Sequence, residues 1–505
     1  MFMKALEKNQ KQYTENGALG YKTTGSKIVD LNFGIPSYRR EINKDLFLDA
    51  LAEDKKLTLR WLLYLRDVRK GIGERNSFRQ FFDVFIKEYP TLAEKFVEQV
   101  PIEEYGRWDD LVAIAIKTKN VKVATILCQK IVDQLTKDLE NYTKGKPISL
   151  LAKWLPSANA SSKKTKHDAE FMYTVMGLTP RQYRKILSKL RSYSNVIETK
   201  LSANEWGDVD YSAVPSMANL RYKDAFIRHD RERRVEFLDS LKNGEAKINA
   251  QAMFLHDIVH AYTHGDVYRK IRNEDATLEE LWKAQDKVDG FKNTLVVRDG
   301  SGSMTVRVSG NTSALDIADA ITLYCAENNS GEFKDKFITF SSIAKLVDVS
   351  GCITLKDKLN KVHREDECSN TNIENVFDLI LDTAVKNNIS PQDMPKNVLI
   401  ISDMEFDTAT YNYKTRSGLS STLFETLAHK YEEAGYKLPK LVFWNVNSRT
   451  NTIPITQNEN GVVLLSGFSK NLMSMVMSNE LDPYKALVSE LMVPRYDVIE
   501  TIFSY

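Results

Sequence analysis

NTLVVRDGSGSM, residues 293–304, decides the fold of the second half of this 505-residue chain. A short β-branched run ends at Asp299, a Gly/Ser turn follows, and SALDIADAITLYCAENN (313–329) then places apolar residues at helical spacing. Working outward, the alternation continues. KFITFSS (336–342), NVLIISD (397–403), KLVFWNV (440–446) and GVVLLSG (461–467) read as strands. NIENVFDLILDTAVKNN (372–388) and STLFETLAHKYEEAG (421–435) read as helices. Strands alternating with amphipathic helices make βαβ units, hence a parallel sheet with helices on both faces. Residues 291–505 are therefore expected to form one doubly wound, parallel-sheet α/β domain, ending in a closing helix and tail within 482–505.

In an open parallel sheet, ligands bind outside the carboxyl ends of the strands. Asp299 stands at such an end. Gly300 and Gly302 let the turn curl so that Asp299, Ser301 and Ser303 aim oxygens at one point. Mg²⁺ takes oxygen ligands in near-octahedral array and keeps several waters. One carboxylate and two hydroxyls leave its charge under-neutralised, so the ion would seek an acidic group from a partner. The bland alternative is a flexible Ser/Gly turn with no ligand.

The D-x-S-x-S pattern resembles the metal-ion-dependent adhesion site of von Willebrand A domains. That resemblance implies two further ligands, a Thr ahead of a later helix and an Asp at a later strand end. ECSNTNIENVFDL (367–379) supplies Thr371, and NVLIISDMEFD (397–407) supplies Asp403. The implied set is Asp299, Ser301, Ser303, Thr371 and Asp403, holding Mg²⁺ or another divalent cation such as Mn²⁺. One departure stands out: the family commonly follows the distal Asp with Gly, and here Met404 follows.

Residues 1–290 read as helical. LFLDALAEDKKLTLRWLLYLRDV (46–68), NSFRQFFDVFIKEYPTLAEKFVEQV (76–100), WDDLVAIAIKT (108–118) and VKVATILCQKIVDQLTKDLENY (121–142) carry apolar residues three and four apart, separated by short polar or Gly/Pro connectors. Successive helical hairpins that cannot bury their faces alone suggest an all-α, HEAT-like repeat body, although no strict sequence period is present.

The formal net charge of +2 conceals an asymmetry. Residues 291–505 hold 21 Lys+Arg against 27 Asp+Glu, whereas 1–290 hold 49 against 41. Most of the positive excess lies in 151–235, with 16 Lys+Arg against 9 Asp+Glu. Lys153, Lys163, Lys164, Lys166, Arg181, Arg184, Lys185, Lys189 and Arg191 are interleaved there with Trp154, Tyr183 and Tyr193. Cations in a groove neutralise phosphates while rings stack bases. The competing reading makes the rings core and the cations their solvated face.

RDVRKGIGER (66–75) and YGRWDDL (105–111) resemble segments of Ro-type (TROVE) ring proteins, in which a helical-repeat ring is closed by a von Willebrand A domain. SLLAKWLPS (149–157), PRQYRKILSKLR (180–191) and VPSMANLRYKDAFIRHDRER (214–233) are similar to an uncharacterised family of bacterial, phage and plant proteins with the same layout. The Ro resemblance implies binding of small structured RNAs or single-stranded RNA ends, and leaves open whether the body closes into a ring. The alternative from another class is a protein–protein adaptor that docks on an AAA+ machine through its A domain, without nucleic acid.

Other chemistries find little support. His256, His260 and His264 recur at four-residue spacing, but the Glu of H-E-x-x-H is absent, and packed or capping histidines account for them. There is no Walker A loop, no G-x-S-x-G elbow and no Cys/His nucleophile pattern, so no enzyme activity is expected. No apolar run approaches the roughly 18 residues of a membrane span, and four scattered cysteines (Cys128, Cys325, Cys352, Cys368) suit a reducing compartment. A cytoplasmic protein without a membrane partner is the expectation.

Overall fold

The first strand of the main sheet, TLVVRD at Thr294–Asp299, is buried at all six positions, as a central strand covered on both faces must be. The computed structural model describes residues 11–504 apart from 195, 252, 267–269, 289–290, 367, 408–422, 455–461 and 478–481. In chain order the described strands are β1 (Lys11–Tyr13), β2 (Leu19–Tyr21), β3 (Thr294–Asp299), β4 (Arg307–Ser309), β5 (Thr312–Ser313), β6 (Lys336–Phe340), β7 (Ala344–Asp348), β8 (Asn397–Ser402), β9 (Lys440–Asn445) and β10 (Val462–Ser466). β1–β2 and β4–β5 are small antiparallel pairs. The other six form one sheet in the order β10-β9-β8-β3-β6-β7.

Every neighbouring pair in that sheet is parallel except β6–β7. The sheet is thus mixed, which corrects the purely parallel expectation. AKLVD is an antiparallel edge strand with only Val347 buried, so it lacks the apolar run that marks its neighbours. Counted within the sheet, the strand order reverses between β3 and β8, and that reversal point is where an open sheet binds ligands.

Helix Ala314–Asn328 is buried from Ala314 through Ala326 and starts on a Ser313/Asp316 capping box. Its buried acids are compensated. Asp319 bonds Arg298 Nε at 2.5 Å and His363 Nε2 at 3.0 Å, and Asp316 meets His260 at 3.0 Å and Thr263 at 2.5 Å. The three spaced histidines have separate structural jobs. Burial holds His256 neutral, its pKa lowered to about 3, against Phe254 and Phe468; His260 pairs with Asp316; His264 ends its helix at φ 53.

The chain divides into two compact units: Met1–Thr58 with Ala250–Leu491, and Leu59–Asn249 with Met492–Tyr505. This departs from the 290/291 boundary drawn on the sequence. In the first unit, Asn445 and Ser466, at the ends of β9 and β10, both donate to the Phe33 carbonyl, and Arg40 donates to Asn447 and the Ser448 carbonyl. Helix Leu255–Thr263 packs on Ala314–Asn328. The change in sequence grammar near residue 291 marks a change of element type, not of packing partner.

The second unit is helical. Phe78, Phe82, Phe85 and Phe96 pack with ring centroids 5.3–5.9 Å apart. The segments at 66–75 and 105–111 meet in its charged core. Arg66 Nε donates to Asp110 Oδ2 at 2.8 Å, and Arg79 Nε to Asp110 Oδ1 at 2.7 Å. Asp67 pairs with Arg495 and accepts from the Tyr496 hydroxyl at 3.1 Å. A Cβ at Gly106 would lie 2.3 Å from Asp110 Oδ2, so only glycine permits this approach. Asn219, within VPSMANLRYKDAF, is buried between the Val214 carbonyl and Arg234. These motifs hold the unit together. Among the described residues no helix is long and apolar enough to cross a membrane.

Candidate functional site

β3 delivers Asp299 to its carboxyl end, and β8 delivers Ser402 and Asp403 beside it. Asp299 Oδ1 accepts from the Ser301 amide at 2.9 Å, and Oδ2 from the Ser402 hydroxyl at 2.5 Å. The turn then tightens through Gly302–Thr305. Gly302 N donates to the Ser369 carbonyl at 2.9 Å, and a Cβ there would sit 2.8 Å from the Cys368 carbonyl oxygen. This close approach fixes the loop that carries Thr371. The Ser301 and Ser303 hydroxyls lie 3.0 Å apart, and Ser303 bonds the Asp403 carboxylate.

Four of the five sequence-derived residues thus interlock directly: Asp299, Ser301, Ser303 and Asp403. Thr371 joins through its loop. Its carbonyl accepts from Asp407 N at 3.0 Å and its hydroxyl from Asn16 Nδ2 at 3.2 Å, while Asn16 also donates to the Glu405 carbonyl at 2.6 Å. Asp299, Ser301, Thr371 and Asp403 are each no more than 1% exposed, and Ser303 is half-buried.

Two buried carboxylates face one another here. Burial and then the Asp299 charge push Asp403 up to about 7; burial also raises Asp299. Arg449 Nη2, 3.3 Å from Asp403 Oδ2, offsets part of the charge and is shared with Glu15 at 2.7 Å. The donor set, two carboxylates and three hydroxyls, is all oxygen and suits a hard cation such as Mg²⁺ or Mn²⁺. With metal–oxygen bonds of about 2.0–2.1 Å, adjacent oxygens of an octahedron lie about 3 Å apart, and the Ser301–Ser303 spacing matches that edge. The residues present fit a divalent ion. Among the described residues no group of three His, Cys, Asp or Glu side chains could hold a metal; this set draws most of its donors from hydroxyls.

Met404 stands where glycine was expected and keeps the glycine-like backbone, with φ 62. A left-handed non-glycine residue costs roughly 1–2 kcal/mol. Its 1%-exposed side chain and the Met404 N to Ser402 Oγ bond of 3.0 Å offset that cost.

Sequence reasoning missed several supports of this site. Ser402 anchors Asp299, Glu405 accepts the Arg449 and Thr450 amides, and Asn16 reaches Thr371. Arg298, fully buried, pairs with Asp319 and Asp366. One signal was available: an arginine inside the apolar run TLVVRD demands buried acids.

The basic segment separates into two classes. Helices Lys163–Val175 and Pro180–Tyr193, capped by Ser162 and Thr179, carry Lys163, Lys164, Lys166, Arg181, Arg184, Lys185 and Lys189 exposed. Neither helix has an acidic residue in its first turn. Cations crowd both positive helix ends, against the macrodipole preference. Arg191, by contrast, is turned inward: it donates to the Ala152 and Leu155 carbonyls and to Ser157 at 2.7–2.8 Å. Lys153 lies 3.5 Å from Glu198. Tyr183 is fully buried with its hydroxyl on the Pro156 carbonyl, Tyr193 donates to the Lys146 carbonyl, and Trp154 is half-buried with Arg107 and Lys153 near its ring. Tyr183 is core.

Two family models match the chain, the domain of unknown function DUF2828 over residues 161–297 and the domain of unknown function DUF7788 over residues 293–491. Among solved structures, the Deinococcus radiodurans Ro (RSR) protein aligns over 97% of this chain and 96% of its own, at 12% identity and a TM-score of 0.34. The uncharacterised protein L728 of Acanthamoeba polyphaga mimivirus is 31% identical over 520 residues, spanning 95% of this chain and 87% of that protein. The chain belongs to the family of the mimivirus protein L728.

Proposed function

We propose that this chain is a non-catalytic, cytoplasmic RNA-binding protein of Ro-like type, with a HEAT-like helical body that holds RNA and a von Willebrand A-type α/β domain that holds Mg²⁺ for an acidic partner. The observation that carries the RNA half is the pair of helix starts crowded with exposed cations. Among the described residues, Lys163, Lys164, Lys166, Arg181, Arg184 and Lys185 form no ion pair. Over 163–193 the count is 8 Lys+Arg against 2 Asp+Glu. Helix amides, the dipole and lysines at one place favour phosphate oxygens. Binding through phosphates carries little sequence preference.

The cation half rests on the interlocked Asp299–Ser301–Ser303–Asp403 oxygens, with Thr371 on the adjoining loop. An ion there would offset the mutual repulsion of Asp299 and Asp403.

The test of the RNA half is a salt titration. Nuclease-treated, salt-stripped protein should bind mixed single-stranded RNA at low salt, with log affinity falling by about 0.7 per contacted phosphate per unit of log salt. Reversing Lys163, Lys164 and Lys166 to Glu should flatten that slope by about two units or more and weaken all sequences alike. Absence of binding at low salt removes the RNA reading and leaves the AAA+ adaptor.

A further inference from the structure

The four most buried residues of the candidate set are shut away from solvent, although an adhesion-type site must offer its ion to a partner. What covers one edge of it is the chain's own N-terminal hairpin. Residues 14–17, between β1 and β2, lie across the segments that follow β8 and β9. Thr14 donates to the Phe406 carbonyl at 2.7 Å, Glu15 N to Glu405 Oε2 at 2.8 Å, and Gly17 bridges Asp407. Farther out, Tyr21 bridges Ile453, and Thr452 donates to the Tyr13 carbonyl.

Two contacts from this hairpin reach the candidate donors. Asn16 Nδ2 donates to the Thr371 hydroxyl, occupying an acceptor position that a cation would need. Glu15 Oε2 holds the same Arg449 Nη2 that rests on Asp403 Oδ2. Glu15 therefore brings an acidic group to the rim, tied in place through an arginine. Both side chains are exposed, so neither contact is needed to fill the core.

We propose that the hairpin at residues 11–21 is a built-in competitor at the cation site: its Glu15–Asn16 tip occupies the Thr371–Asp403 edge, and an external carboxylate reaches the ion only when that tip is displaced. This rests on the cation reading. The partner it fits is a carboxylate-bearing segment, because the tip already presents Glu15 and must be outcompeted in kind. Arg449, released from Glu15, becomes a second contact for the incoming carboxylate.

The experiment uses Mn²⁺ as probe and water-proton relaxation as readout, with sodium acetate as the carboxylate. Full-length wild type is compared with Glu15→Ala/Asn16→Ala and with a chain starting at residue 22. Circular dichroism checks that each is folded, and the exposed double variant carries the comparison should the truncation unfold. The expected result is that Mn²⁺ binds both full-length proteins, that relaxation per bound ion rises in the double variant as more water reaches the metal, and that acetate suppresses the rise there while leaving wild type unchanged. Equal relaxation and equal acetate response in both proteins would overturn the competitor role while leaving the cation site standing. Mn²⁺ binding to neither at millimolar levels would remove the cation reading and this inference with it.

Discussion

Asp299 and Asp403 are buried carboxylates whose charges Arg298 and Arg449 offset only in part, whereas Lys163, Lys164, Lys166, Arg181, Arg184 and Lys185 are exposed cations with no acidic partner among the described residues. Both arrangements cost the folded chain something, in different currencies of distance. The buried pair repels across a low-dielectric gap, and what Arg449 leaves unrelieved only a group brought to that point can offset. The exposed cations repel weakly through water and salt, and any polyanion relieves them. The first region is therefore selective by geometry and the second by charge alone.

The largest effect separating the regions should come from Arg298. Arg298→Met leaves Asp366 without its buried counter-ion and Asp319 with His363 alone, and should cost about 3–5 kcal/mol of unfolding free energy in denaturant titrations. A loss no larger than that of an exposed lysine would mean that the ion pairs beneath the Asp299 turn contribute little to the fold.

Next comes pH. Asp403 is raised from 3.8 to about 7, so between those values the folded metal-free protein binds more protons than the unfolded chain. Its stability should fall as pH rises through that window. Saturating Mg²⁺ should flatten the fall, because the ion favours both ionised carboxylates. Melting curves at several pH values, with EDTA and with Mg²⁺, read both. A metal-free stability that rises across the window would contradict the buried-pair reading.

Smaller effects sharpen the other region. Tyr183→Phe removes one buried hydrogen bond, to the Pro156 carbonyl, and should cost about 0.5–1.5 kcal/mol without altering the salt slope of RNA binding. Reversal of Lys163, Lys164 and Lys166 should move stability by no more than about 0.5 kcal/mol while flattening that slope. A Tyr183→Ala variant, which removes the ring itself, would return it to a stacking role if it were fully stable and bound RNA weakly.

Much of the α/β unit was legible because β3, β8, β9 and β10 are near-continuous buried apolar runs, and a Gly/Ser turn after Asp299 has few structural excuses. β7 was not legible, since an edge strand with one buried residue in five looks like a loop. The part played by residues 11–58 and 250–290 was hidden for another reason. Their helices resemble those of the other unit, and the partners of 11–58 in the sheet lie hundreds of residues away, as Asn445 does from Phe33. Asn16 carried no local signal at all. On the basic face, composition located the cations, but period and charge could not tell inward-turned Arg191 from exposed Arg184 on the same helix.

Thermal melting with and without Mg²⁺ reads out a divalent ion held between Asp299 and Asp403. Wild type should gain melting temperature as Mg²⁺ is added. Asp299→Asn, which removes one of two repelling carboxylates, should melt no lower than wild type in EDTA and should gain nothing from Mg²⁺. Equal Mg²⁺-dependent gains in both proteins would place the ion elsewhere and leave the Asp299–Asp403 pair without one.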